Sequence, residues 1–250
     1  YKRQRMKGLT MRSDHLPFPM PERPHSLVQE WKNLTFMHWE VDPVKLAKYI
    51  PDGLEIDLFE GRAFIGTIPF LMANVRPRMA FPIPGVSTFP EINIRTYVRK
   101  GGCAGVLFLT LEAQSLITCS YATRAYGLPY RYSIANVRSQ EGKYQWNACR
   151  KDGSHEIIGE CTWDNQEEVA KKGTLEEFLF ERYCLYTTHK GNLCIAYTHH
   201  EPWKFGTGEV KLESNTLTDE FDLGISNVLM PDLVHVSEGV YVKTWSVEVV

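Results

Sequence analysis

The stretch Phe89-Pro90-Glu91-Ile92-Asn93-Ile94-Arg95-Thr96-Tyr97-Val98 decides how this chain is read. With a period of two it is a strand, with Ile92, Ile94 and Val98 on one face. Glu91, Asn93, Arg95 and Tyr97 lie on the other. A face carrying an acid, an amide, a base and a phenol fits a solvated outer surface. It also fits the wall of a polar cavity. The functional expectations below depend on which of the two holds.

Around this strand the pattern is mostly extended. Lys100-Gly101-Gly102 turns it into residues 106–113, nearly all apolar, as in a strand buried on both faces. Residues 115–126 read as a helix with a left-handed stop at Gly127 and Pro129 two residues on. Residues 130–137, 144–149 and 155–163 read as strands, the last two joined by Lys151-Asp152-Gly153.

Upstream, residues 1–30 form an extended or disordered lead-in, proline-rich from residue 13. A strand is expected over 34–40. Asp42 then caps a short helix with Pro43 at its first position, and Pro51 stops it. Residues 54–58 and 63–72 suggest a hairpin about Glu60-Gly61.

Downstream, Thr174 and Glu177 have capping-box spacing. Leu175, Phe178, Leu179, Arg182, Tyr183 and Tyr186 recur every three to four residues, which predicts a helix over 175–186 packed on the outside. Further strands are expected near 193–199, 209–213 and 240–249. Many strands, few helices and no βαβ alternation predict a β-dominated α+β fold. The expectation is a single closed or nearly closed β-barrel over residues 31–250 with peripheral helices.

The bulk chemistry narrows the function. A formal charge of −2 in 250 residues gives no electrostatic case for nucleic acid or an acidic membrane. No apolar run is long enough to span a bilayer. The basic stretch with Lys2, Arg3, Arg5, Lys7 and Arg12 is followed by no apolar run, so it is read as a tail rather than a signal peptide. The six cysteines form no C-x-x-C pair and read as reduced packing thiols, hence a cytoplasmic protein.

Four segments, in order, are similar to the acetoacetate-decarboxylase-like superfamily and, within it, the YqjF-like proteins. They are Tyr49-Ile50-Pro51-Asp52-Gly53-Leu54-Glu55-Ile56-Asp57, Phe89-Pro90-Glu91, Tyr126-Gly127-Leu128-Pro129-Tyr130-Arg131 and Thr198-His199-His200-Glu201-Pro202-Trp203. The resemblance spans roughly residues 30–245. It implies a β-barrel whose cavity receives both the glutamate and the segment after the proline, and so turns Glu91 inward.

The resemblance stops at the chemistry. In the decarboxylases the first lysine after that proline forms a Schiff base with a β-keto acid. It is activated by desolvation and by the neighbouring cation, and acetoacetate decarboxylase is itself the standard instance. Here those positions are Tyr130 and Arg131. A phenol forms no imine, and a guanidinium stays protonated. Schiff-base decarboxylation at this position is excluded.

What remains is Glu91, with Arg95 about 13 Å along the same face and Arg131 brought near under the resemblance. A buried guanidinium needs an anion. Glu91 could supply it, giving a structural pair, or a bound carboxylate or phosphate could. A desolvated Glu91 could act as a general base, although a close arginine would pull its pKa back down.

His199-His200-Glu201 lack a spaced third ligand, so no metal is expected, and a hydrogen-bonded strand end is the default. No cofactor motif occurs.

Two functions follow. One is an enzyme acting on a small carboxylate-bearing metabolite through Glu91 and Tyr130, with Asn93, Tyr97, Arg95 and Arg131 holding the ligand. The other is a non-catalytic binder on the same scaffold, with Arg131 and Arg95 holding a small anion. Self-association is left open.

Overall fold

The computed structural model describes residues 13–140 and 142–250. The basic residues 2–12 of the N-terminal stretch therefore lie outside the described part.

In chain order, the first elements are β1 (Leu27–Val41), α1 (Pro43–Leu46) with a 3-10 turn after it, β2 (Glu55–Ile56), β3 (Ala63–Pro77), β4 (Phe89–Lys100) and β5 (Cys103–Ala113). Then come α2 (Leu116–Tyr126), β6 (Tyr130–Gln140), β7 (Lys143–Arg150), β8 (Glu156–Trp163), β9 (Glu168–Val169) and α3 (Leu175–Phe180). The last are β10 (Cys184–His189), β11 (Asn192–His199), β12 (Lys204–Asn215), α4 (Thr216–Asp219), β13 (Leu233–Thr244) and β14 (Glu248–Val249).

Strand pairing runs β5-β6-β7-β8-β12-β13-β1-β3-β4, and β4 pairs back onto β5. β10 joins β5 in parallel, and β11 links β10 to β13.

The organising strand is β4, and both its faces are buried. Ile92 and Ile94 pack with Trp39, Trp146 and Leu217 in one apolar core. The opposite face looks into a second aromatic cluster containing Phe36, Phe70, Phe180 and Trp203. The solvated reading of the Glu91 face is thereby overturned. A bulge helps to shape that side. Ile94 pairs with Thr110 but Arg95 pairs with Phe108, so Leu109 is an extra residue in β5. The bulge reverses the alternation of β5. Val106 and Phe108 look toward the aromatic side before it, and Leu111 does so after it.

The caps behave as read. Asp42 accepts from the Val44 and Lys45 amides. Ser115 caps α2, and Gly127 ends it in the left-handed region at φ 71°. A Cβ at Gly127 would also meet the Thr188 carbonyl at 2.5 Å, so the position excludes other residues on two counts.

Three expectations need correction. β1 begins at Leu27, inside the supposed lead-in, because residues 27–32 have partners on both β3 and β13. β2 pairs with β4 rather than forming a hairpin with β3, and only a bridge between Phe59 and Arg62 marks the turn. The helix over 175–186 ends at Phe180. Beyond it, Cys184 to His189 pair with β11, so tertiary ladder bonds override the helical spacing of Tyr183 and Tyr186. Nor does α3 pack outside, since Leu179 and Phe180 are fully buried.

Candidate functional site

A cavity of about 530 Å³ opens on the aromatic side of β4. Its walls come from β1, β3, β4, β5, β6, β10, β11, β13 and the end of α3, and α2 and the β3–β4 loop contribute at its edge. Glu91, Asn93 and Arg95, successive inward positions of β4, all line it, as period-two reading predicts.

Glu91 is 2 % exposed, and its Oε2 accepts a hydrogen bond from Tyr130 Oη at 2.8 Å. Tyr130 is the first residue of β6, brought to β5 opposite Leu111. At the register of Glu91, β5 offers only the methyl of Ala113, which leaves room for the phenol to reach across. Burial pushes the Glu91 carboxyl up to about 8, although the Tyr130 hydroxyl and the Asn93 amide favour its charged form. Burial, reinforced by the Glu91 charge, also drives the Tyr130 phenol well above its ordinary value. At neutral pH the pair is therefore a carboxylic acid beside a phenol, with proton-carrying oxygens and no net charge.

Arg95 supplies the charge. Its side chain is 7 % exposed and touches the rings of Phe36 and Tyr97, with centroids at 5.8 and 5.7 Å. Nη2 donates to the Leu179 carbonyl at 3.2 Å, whereas Nε has no partner. Among the described residues, no carboxylate comes within ion-pair distance of it. Asn93 Oδ1, on the same wall, is likewise buried and unpartnered.

The other expected residues lie elsewhere. Arg131 does not enter the cavity. Its side chain is 52 % exposed and pairs with Glu220 at 3.5 Å. Neighbouring residues of a strand point to opposite sides, so with Tyr130 inward Arg131 must face out. Glu220 in turn is held by Arg150, which also bonds the buried Glu112 at 2.8 Å. Tyr97 shares the parity of Glu91 but is walled off, with Phe178 of α3 at 5.2 Å and a 2.7 Å hydrogen bond to His38 Nε2. Lys32 pairs with Glu30 at 2.7 Å.

Some lining residues were not anticipated. Arg182 reaches the cavity while its Nη1 donates to Asp57 at 2.6 Å. His200 is fully buried on the wall, with Nδ1 and Nε2 facing the carbonyls of Glu201 and Arg182. Burial lowers its pKa to about 4, only partly offset by those carbonyls. Trp31 and Trp203 stack at 6.1 Å beside it. The only signal for His200 was its place in the His-Glu-Pro-Trp segment. No group of three metal-binding side chains occurs among the described residues. None of the described lining residues is a lysine.

With this geometry the chain resembles solved proteins of the acetoacetate decarboxylase type. The decarboxylase of Legionella pneumophila is 14% identical with a TM-score of 0.62, covering 94% of this chain and 93% of that one. The enduracididine biosynthesis enzyme MppR, solved with pyruvate, is 14% identical with a TM-score of 0.62, covering 92% and 91%. At these identities the likeness defines the fold, a β-dominated acetoacetate-decarboxylase-like one. The chain belongs to the DUF2071 family, described as an uncharacterized conserved protein, whose model matches residues 28–241. It is 31% identical over 238 residues to the uncharacterized protein YqjF of Bacillus subtilis (strain 168), covering 95% of this chain and 98% of that one.

Proposed function

We propose that this chain takes a small carboxylate-bearing molecule into the cavity and moves a proton on it through Glu91 and Tyr130, without a lysine imine. On this reading the ring of strand pairs is a closed barrel of one domain around the ligand. The observation that carries the proposal is Arg95, a buried guanidinium with no carboxylate partner among the described residues, on the same wall as a neutral acid. A buried cation left uncompensated is costly, and a ligand carboxylate would relieve that cost with charge-assisted bonds. Glu91, neutral at pH 7, does not repel such an anion. The ionised fraction of Glu91, which grows as pH rises toward 8, takes the proton from the carbon beside the ligand carbonyl. The acid so formed donates to the carbonyl oxygen as negative charge develops there or returns the proton to carbon. Tyr130, already bonded to one oxygen of Glu91, fixes which oxygen faces the ligand. The pyruvate complex of the neighbour MppR is consistent with an oxo acid of this size, although that protein is only 14% identical.

The test uses pyruvate as probe in deuterated buffer. Proton exchange at its methyl group, read by NMR, should be catalysed by the wild type and lost in Glu91→Gln. A pyruvate-dependent rise in melting temperature should vanish in Arg95→Met. Binding without exchange would make the chain a carrier rather than an enzyme. No binding by pyruvate or other small carboxylates would overturn the proposal.

A further inference from the structure

The cavity changes character along its length. Its inner wall carries Glu91, Asn93 and Arg95, all buried. Apart from Arg76 of β3, part-buried and donating through Nη1 to the Asn74 carbonyl, its edge is largely apolar and open to solvent. Phe81 and Ile83 of the β3–β4 loop are 90% and 61% exposed, and Ile117 and Tyr121 of α2 are 63% and 55% exposed, yet all four line the cavity. Ile117 and Tyr121 stand four residues apart, on one face of α2. The residues that α2 buries are Ala122 and Tyr126, so this face is not turned into the core. Beside these polar groups stand Phe70 and Ile68 of β3, paired with Glu91 and Asn93, and Leu111 and Phe108 of β5, paired with Asn93 and Arg95. With Leu34 and Phe36 they make a wall without a charged side chain.

We infer that the ligand is an amphiphile, a carboxylate whose head meets Arg95 and whose apolar chain runs back along this wall to the edge. The inference rests on the proposed function for the head group and adds the tail. A small oxo acid alone would fill a minor part of about 530 Å³ and leave the exposed rings of the edge without a partner. A chain of several methylenes would fill the remainder and cover Phe81, Ile83, Ile117 and Tyr121. Such large exposed apolar side chains grouped at a cavity mouth mark a surface that something covers.

The test is calorimetry with unbranched saturated carboxylates from acetate to decanoate, beside pyruvate and 1-octanol. Affinity should rise with chain length, by up to about fourfold per methylene where burial is complete, with one ligand per chain. Arg95→Met should weaken every carboxylate by a similar factor and leave 1-octanol unchanged. Phe81→Ser with Ile117→Ser, both at exposed positions, should weaken octanoate at least tenfold and leave pyruvate unaffected. If affinity is flat along the series while pyruvate still depends on Arg95, the tail is refuted and the proposed function stands. If no carboxylate binds, both fall. If the edge variants alter the oligomeric state of the ligand-free chain and not octanoate binding, the apolar edge is a contact between copies and the inference is wrong.

Discussion

Tyr130 Oη and Glu91 Oε2 meet at 2.8 Å across an intervening strand, tying β6 to β4 over β5. The bond closes a small polar site inside an otherwise aromatic cluster. It also holds in one place two groups that burial keeps protonated. The proposed proton chemistry and part of the pH dependence of stability therefore share one residue, Glu91.

The folded state keeps the Glu91 proton up to a pH of about 8, whereas the unfolded chain releases it near 4.5. Between those values the folded form binds more protons. This residue's contribution to stability is therefore greatest below pH 4.5 and falls as pH rises toward 8, by about 5 kcal/mol at most. Glu91→Gln removes the titration and keeps the shape. Its melting temperature should exceed that of the wild type at pH 9 and lose that advantage toward pH 5. Parallel melting curves across this range would show that Glu91 titrates normally.

His200 acts on the acid side. Burial holds it neutral down to about pH 4 in the folded chain, while the unfolded chain takes up a proton near 6.5. Stability is thus lost as pH falls from 6.5 to 4, and His38 and His235, both lowered by burial, add to the slope. His200→Gln should reduce the proton uptake on unfolding at pH 5 by about one. Denaturant midpoints at pH 5 and 7 measure it, and an unchanged difference between them would refute the assignment.

The inward face of β4 was legible because strand alternation is a local property. Glu91, Asn93 and Arg95 needed only the resemblance to decide which way they look. Arg131 was misplaced because two consecutive strand residues were both sent into one cavity, which alternation forbids once Tyr130 is inside. Tyr97 has the right parity and is still excluded, because Phe178 arrives over it from 81 residues further along the chain. The end of α3 was equally hidden. Its helical spacing continues through Tyr186, and only the ladder to β11 stops it. His200 could not be placed because its direction depends on where β11 ends.

Arg131 and Arg95 should consequently behave in opposite ways. Arg131 is half exposed and joins Glu220 at the surface, so Arg131→Ala should cost about 1 kcal/mol or less and leave carboxylate binding intact. Arg95→Met should remove the pyruvate-dependent stabilisation and leave the ligand-free fold as stable as before or more so, since it removes a buried cation that has no carboxylate partner among the described residues. Thermal shift with and without pyruvate separates the two. A ligand effect lost in Arg131→Ala would restore that residue to the site.

Arg182 lines the same cavity but is held by Asp57 at 2.6 Å. Arg182→Met should destabilise by about 3 kcal/mol, at the low end for breaking a buried pair. Arg99, 3.7 Å from the other oxygen of Asp57, limits the damage. Asp57→Asn in the same chain should recover much of the loss. Urea unfolding of the single and double variants tests this, and additive losses would mean that the two residues are not coupled.

The absence of lysine from the described lining makes the last expectation the most direct. Borohydride reduction in the presence of pyruvate should leave the wild type unmodified, because an imine needs an amine and Tyr130 offers a phenol. Tyr130→Lys places an amine beside Glu91. Burial there lowers its pKa and frees its lone pair, and an oxo acid drawn in by Arg95 could then condense with it. The variant should gain a borohydride-stable mass increment that maps to position 130 by peptide mass spectrometry, and Arg95→Met in the same chain should suppress it. An adduct on the wild type would show that another lysine reaches the cavity. An unmodified Tyr130→Lys variant, folded and still stabilised by pyruvate, would show that the ligand carbonyl does not approach Glu91, and the proton-transfer role of that residue would fall with it.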